Sequence, residues 1–371
     1  MKVSASLVLG LLLGCSSGPS PTVAEDTGSS VADTGTTDGG DSGAPDGGDS
    51  GGDASPAPTN VPGKYVHTVD LEGSKREYIV YVPEKARGTT RVPVVFMFHG
   101  TSGDGEKFYA ISHWKETADA QGFVAVFPSA LTYCLSEDDN GDGDFTDPGE
   151  RKVTTKWSAG KLGDPAVMPL CSAADLAALP APQRALADHP LRDDIAFVKA
   201  MLDHLATGYA TDAKRIYASG FSNGGQMTSR LAVDMSDRFA ALAAHAGPMW
   251  TDPKPARPLT FYFSVGSLDD RFLAYLGGAS IPLAESTMTS PLFTVITSDY
   301  LKQEQLAATY VYDKPRADVA RWTWSTSTVG AKNKFVSALL ENCTHEYPNG
   351  KNHPIVMADV LWELFAKESL P

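Results

Sequence analysis

Between Arg76 and Glu368 the chain alternates two kinds of hydrophobic pattern. REYIVYV (76–82) reads as a strand, and after a turn-rich link VPVVFMFHG (92–100) is apolar almost without a break, as suits a strand buried on both faces. A helix-like stretch follows around Phe108 to Ala120, then FVAVFP (123–128) as another buried strand. Past an irregular insertion at about 131–190, DDIAFVKAMLDHL (193–205) sets Ile195, Val198, Met201, Leu202 and Leu205 on one helical face, with Asp193 or Asp194 suited to its start. RIYASGF (215–221) reads as a strand and GGQMTSRLAVDM (224–235) as a helix, followed by the strand candidates FAALAAHAG (239–247) and LTFYFSVG (259–266). A long, less regular piece (271–318) leads to two more strand candidates, RWTWST (321–326) and FVSALLE (335–341), and a last helix, IVMADVLWELFAKE (355–368). This alternation predicts an α/β chain with a mostly parallel twisted sheet and helices on both faces. In such sheets the chemistry gathers at the carboxyl ends of the strands.

The N-terminal segments follow neither pattern. MKVSASLVLGLLLGC puts one lysine before an apolar run that stops at Cys15, an export-signal arrangement. The run is too short for a membrane span, and LLGC resembles the lipobox of bacterial lipoproteins, which predicts lipidation of Cys15 as the mature N-terminus. An ordinary secretory signal cut nearby is the alternative, with the same compartment. Residues 16–62 hold no Lys or Arg, almost no large apolar side chain and the hexapeptide DGGDSG twice, so a disordered acidic Gly/Ser/Asp-rich linker is expected. As a flexible coil it would reach roughly 40 Å, enough to tether a domain clear of an outer leaflet. The linker carries eight acids and no base, while residues 63–371 carry 37 acids and 30 bases. That mild excess leaves no footprint for nucleic acid or anionic lipid, so a membrane is expected to be met only through the lipid anchor. Residues 63–371 suffice for one large α/β domain, expected to act as a monomer.

GFSNG (220–224) fits G-x-S-x-G between a predicted strand and a predicted helix, the context in which that pattern marks a nucleophile rather than a glycine-rich cap. Ser222 is therefore the candidate nucleophile, with small residues required two positions either side. Its hydroxyl needs a base, and the base an orienting carboxylate. In the chain order Ser, acid, His, the histidines far enough downstream are His345, directly after the strand candidate FVSALLE, and His353, which has a capping explanation beside Pro354. His345 is the expected base. The strand LTFYFSVG delivers Asp269 and Asp270 in one loop, and the residues alone leave the acid open between them, one pointing at the base and the other capping or solvated. An oxyanion hole is expected from the backbone N–H groups of Asn223 and of Thr101, in the loop after VVFMFHG. His99 reads as a buried structural histidine.

REYIVYVP, VVFMFHG, GFVAVFP, DDIAFVKAMLDHL, RIYASGFSNGGQM, FAALAAHAG, FSVGSLDD and CTHEYP, in that order, together resemble the extracellular poly(3-hydroxybutyrate) depolymerase and feruloyl or acetylxylan esterase group of the α/β-hydrolases. The resemblance covers most of 64–371 and is weakest at 131–190 and 271–318. It implies the α/β-hydrolase fold, Ser222 as nucleophile, His345 as base and, through a G-[TS]-x-D pattern at Gly266, Ser267, Leu268 and Asp269, the acid Asp269. Tyr347 stands where that group usually has tryptophan, and 131–190 is unlike it.

The insertion adds its own candidates. In EDDNGDGDFTDPGE (137–150), Asp138, Asn140, Asp142 and Asp144 alternate as in the start of a calcium loop, but the position of the closing bidentate glutamate is Gly149. A structural calcium site and a solvated acidic loop both stand as readings. Trp157 and Trp250 are candidates for receiving a sugar, a feruloyl ring or a polyester chain, against ordinary packing under a loop. With Cys15 lipidated, Cys134, Cys171 and Cys343 remain in an oxidising compartment, and a Cys134–Cys171 disulfide that staples the insertion is expected. The sequence-level expectation is an exported serine esterase acting on a carboxylic ester, polymeric substrates included, with no cofactor required for catalysis. A serine peptidase on the same fold and a non-catalytic surface or carbohydrate-binding protein are its rivals.

Overall fold

The computed structural model describes residues 58–138, 142–147 and 149–371. The leader with Cys15, the linker up to residue 57 and the candidate ligand Asn140 lie outside the described residues. Among the described residues twelve strands run in chain order: β1 (Gly63–Leu71), β2 (Ser74–Val82), β3 (Val92–Phe98), β4 (Val124–Pro128), β5 (Thr132–Ser136), β6 (Arg151–Thr155), β7 (Thr211–Phe221), β8 (Ala241–His245), β9 (Thr260–Gly266), β10 (Tyr310–Arg316), β11 (Val319–Trp324) and β12 (Phe335–Leu340). Among the described residues the α-helices are α1 (Gly105–Ile111), α2 (Trp114–Gln121), α3 (Ala173–Ala178), α4 (Ala181–Ala187), α5 (Asp194–Gly208), α6 (Asn223–Asp234), α7 (Asp270–Leu276), α8 (Pro291–Gln303) and α9 (Met357–Phe365). None is long and apolar enough to cross a membrane.

Ten strands form one sheet in the order β1-β2-β4-β3-β7-β8-β9-β12-β11-β10, and β5 pairs with β6 in a separate hairpin. The six central strands, β4 to β12, are parallel, and the two outer pairs at each edge are antiparallel. This is the mostly parallel sheet that the alternation predicts, in the α/β-hydrolase arrangement that the resemblance implies. The buried runs are the reason it works: every residue of β3, β4, β8, β9 and β12 is buried. Val94, Phe96 and Phe98 of β3 join the core under α5, α6 and α8, while Val95 and Met97 face the core under α1, α2 and α9. The chain steps from β3 to β4 on one side and returns to β7 on the other. The carboxyl ends of β3 and β7 therefore flank the point where strand order reverses, the place where such sheets open a crevice.

Several expectations are corrected in detail. The single helix expected around 108–120 is two, broken at His113 with φ 66°. The break turns the Trp114 indole fully into the core, where its Nε1–H donates to the Tyr347 hydroxyl (3.0 Å). The less regular piece contains α7, α8 and the edge strand β10, whose residues YVYDKPR include no long apolar run, as suits a strand with no neighbour on its outer side among the described residues. Helix α5 buries all five expected residues and Phe197 as well. Its cap is Asp193, which accepts the Ile195 N–H (3.0 Å); Asp194 turns inward to Arg76 (2.5 Å), both fully buried.

Candidate active site

Strand β7 ends at Phe221, and Ser222 is held at φ 51°, ψ −119° before α6 begins at Asn223. A residue other than glycine rarely adopts this backbone, and such strain clusters at functional sites. The turn is possible because its neighbours lack side chains: a Cβ on Gly220 would lie 2.0 Å from the Gly224 carbonyl oxygen, and one on Gly224 would lie 2.2 Å from the Phe98 carbonyl oxygen. The Ser222 N–H donates to the His245 carbonyl of the next strand (2.8 Å), which fixes the serine over the sheet edge.

His345 lies in the loop after β12. Its Nε2 is 3.0 Å from Ser222 Oγ and its Nδ1 is 2.9 Å from Asp269 Oδ2. Asp269 has no exposed surface, and its Oδ1 accepts the Arg271 N–H (3.0 Å) as the cap of α7. One residue thus does both jobs that the sequence divides between two acids. The Asp270 side chain is 68% exposed, its carboxylate 3.8 Å from Arg271 Nε. Donor atoms of Asp269, Asp270 and His345 come within 4.8 Å of one another, but in this grouping His345 Nδ1 is already engaged by Asp269. A carboxylate at Nδ1 selects the tautomer with its proton there and leaves Nε2 free to accept from the serine hydroxyl.

Behind these residues lies a layer that the sequence pattern does not single out. The Phe221 ring sits 5.1 Å from that of His345 and stacks on His245. His245 is buried, bonded through Nδ1 to Ser264 Oγ (2.8 Å), and its Nε2 has no hydrogen-bond partner among the described residues. Burial pulls its pKa down to about 3, so the ring is neutral. Tyr347 takes the Trp114 N–H and shares a hydrogen bond with Ser219 Oγ (3.1 Å), tying the His345 loop to β7. The cues in the sequence are a polar ring at the end of the buried run FAALAAHAG and the tyrosine at 347 where the resembled group usually has tryptophan.

His99 and His353 are braces. His99 Nε2 accepts the Ala130 N–H (2.9 Å), so its Nδ1–H donates to the Gly100 carbonyl (2.7 Å), and burial lowers its pKa to about 4. His353 Nε2 donates to the Glu341 carbonyl (2.9 Å). The turn at Gly100 lies against Phe221 and Ser222, which brings Thr101 beside the elbow. Neither the Thr101 nor the Asn223 backbone N–H has an acceptor among the described residues.

Trp157 and Trp250 are corrected as ligand-facing candidates. Trp157 is fully buried, its ring against Phe98 and His99 and its Nε1–H on the His99 carbonyl (2.9 Å). Trp250 is buried in a small satellite core with Tyr133, Leu135, Leu162 and Met168. Packing under the insertion claims both rings. Cys134 and Cys171 form a disulfide, and Cys343 is a buried free thiol whose pKa burial raises to about 12. In the acidic loop, Asp138 accepts the Asp142 and Gly143 amides (3.1 and 3.0 Å), Asp142 that of Asp144 (2.7 Å) and Asp144 that of Thr146 (3.0 Å). These carboxylates cap successive turns, and their oxygens form no cation-binding group among the described residues.

The model of the prolyl oligopeptidase family matches residues 181–252, the stretch that contains α5, β7 and the elbow. A bifunctional acetylxylan esterase/xylanase of Neocallimastix patriciarum is 25% identical over 200 residues, 54% of this chain and 22% of that protein. Feruloyl esterase B of Neurospora crassa is 24% identical over 167 residues, 45% of this chain and 42% of that protein. The chain spans less than half the length of these curated relatives. Among solved structures, the acetyl xylan esterase from Aspergillus awamori aligns over 81% of this chain and 99% of its own, at 12% identity and a TM-score of 0.49.

Proposed function

We propose that this chain, similar to the acetylxylan and feruloyl esterase group of the α/β-hydrolases, is a serine esterase that hydrolyses carboxylic esters through an acyl-enzyme. One observation carries the reading: the His345 imidazole bridges Ser222 Oγ, at 3.0 Å, and the buried Asp269 carboxylate, at 2.9 Å, on a strained strand-to-helix turn. Ser222 Oγ attacks the ester carbonyl as His345 Nε2 takes its proton, and Asp269 holds the imidazole and balances its charge. The amides of Asn223 and Thr101 receive the oxyanion. Collapse expels the alcohol, protonated by His345, and leaves the acyl group on Ser222. Water, deprotonated by the same nitrogen, then releases the acid and restores the serine. No step calls on a cofactor.

The substrate class is an acetyl or feruloyl ester of a polysaccharide or a polyhydroxyalkanoate, met outside the cell by an enzyme exported and anchored through Cys15. The Cys134–Cys171 disulfide supports that compartment. The test is Ser222→Ala with a short-chain p-nitrophenyl ester: hydrolysis is expected to fall to background, and undiminished turnover would sink the reading. A peptidase is the second reading, favoured by the match to the prolyl oligopeptidase family model. Turnover of matched ester and amide substrates decides between them.

A further inference from the structure

The insertion at 131–190 supplies a strip of residues that touches both loops proposed to form the oxyanion hole. Trp157 follows β6. Its backbone N–H donates to Asn223 Oδ1 (2.7 Å), and Asn223 Nδ2 returns a longer bond to the Trp157 carbonyl (3.4 Å). Its indole N–H donates to the His99 carbonyl (2.9 Å) at the start of the other loop. Two residues earlier, Thr155 Oγ1 donates to the Gly103 carbonyl (2.6 Å), and the Thr155 carbonyl accepts the Ser102 N–H (3.1 Å). Thr101 is thereby bracketed on both sides by bonds to this strip, and Asn223 is gripped by the same strip through its side chain.

The strip is itself anchored from behind. The Ser158 N–H donates to Asp194 Oδ2 (2.7 Å), Ser158 Oγ accepts the Asp194 N–H (3.1 Å), and Asp194 is locked by the buried Arg76. The Trp157 ring meets Phe98 edge-on at 5.1 Å, so the indole also packs on the strand from which the Thr101 loop departs. Two amides from loops distant in the chain must converge on one developing negative charge, and their value depends on placement.

We infer that Trp157, with Thr155, is the positioning element of the oxyanion hole, acting through Thr101 and Asn223 rather than through contact with substrate. The inference rests on the proposed esterase reading of Ser222.

The experiment compares the full chain with Trp157→Phe, which keeps a buried ring and deletes one N–H, and with Thr155→Val, which deletes the hydroxyl that reaches Gly103. On a short p-nitrophenyl ester, kcat of Trp157→Phe is expected to drop about tenfold or more with KM within about twofold, since displaced donors weaken the transition state more than the ground state. Inactivation by a fluorophosphonate, in which Ser222 Oγ bonds phosphorus and fluoride leaves, should slow by the same factor as kcat/KM. The number of titratable sites per mole should stay unchanged. Thr155→Val should move in the same direction by a smaller factor, and it decides the matter if Trp157→Phe does not fold. Unchanged kcat in the folded variants, or a drop matched by an equal loss of titratable sites, would overturn the inference. Failure of the underlying reading has a separate signature, activity retained in Ser222→Ala.

Discussion

Asp269 and Asp270 are adjacent and chemically identical, and their surroundings part them. Asp269 sits where β9 meets α7, and its two oxygens are spent on His345 and on the Arg271 amide, while Asp270 points outward. Asp269→Asn is expected to lower kcat by about 10⁴-fold, as loss of the orienting carboxylate does in a serine triad. Asp270→Asn should stay within a few fold of the parent, and steady-state kcat at saturating ester checks both. At this scale the sequence narrows the candidates to two neighbours, because strand ends and chain order limit which residues can meet at one sheet edge. It could not choose between neighbours, since burial of a carboxylate is a property of everything packed around it. The same holds for Trp157, whose type suits a ligand platform as well as a brace and whose burial makes it a brace.

Among the elements, α5 shows two neighbouring aspartates with opposite roles. Asp193 caps the helix at the surface, whereas Asp194 lies in a fully buried ion pair with Arg76 of β2, whose guanidinium also covers the Phe197 ring at 4.1 Å. Arg76→Leu strands a buried carboxylate and is expected to cost about 3–5 kcal/mol of stability. Asp193→Ala removes a cap and should cost about 1 kcal/mol. Urea midpoints of the two variants, converted with a common slope, distinguish these outcomes. The helix itself is legible from its 3.6-residue stripe, and the buried parallel strands from their unbroken apolar runs. Edge strand β10 is not, because a strand covered on one side needs no apolar run and is defined by its partner β11. Helix break His113 is likewise set by the fit of Trp114 into the core.

For the molecule as a whole, a buried carboxyl away from the candidate site is expected to make stability depend on pH. Glu304, at the end of α8, has no exposed surface; its Oε2 accepts the Leu259 N–H (2.6 Å), and Oε1 has no hydrogen-bond partner among the described residues. Burial pushes its carboxyl up to about 8, opposed by that hydrogen bond and by Arg257. The folded state therefore holds this proton more tightly than the unfolded chain, where the ordinary value is 4.5. Its contribution to stability is full at and below the unfolded value and is lost as pH rises towards the folded one. Glu304→Gln is expected to gain stability over the parent as pH rises from about 5 to about 8. Urea midpoints of both proteins across that range provide the check, and a constant difference would refute it.

What the sequence determined by itself is what depends on local pattern: the order of buried strands and amphipathic helices, the small-residue turn around Ser222, and a downstream acid and histidine in workable order. Hydrophobic period and steric demand act over a few residues, so they can be read without a fold. Tertiary structure alone decided which aspartate faces His345, that Trp157 and Trp250 are enclosed, that the acidic loop caps its own turns, and that the insertion grips both loops beside the serine. Each of these rests on contacts between segments far apart in the chain, and their free energies depend on burial and hydrogen-bond geometry that exist only once the sheet has assembled.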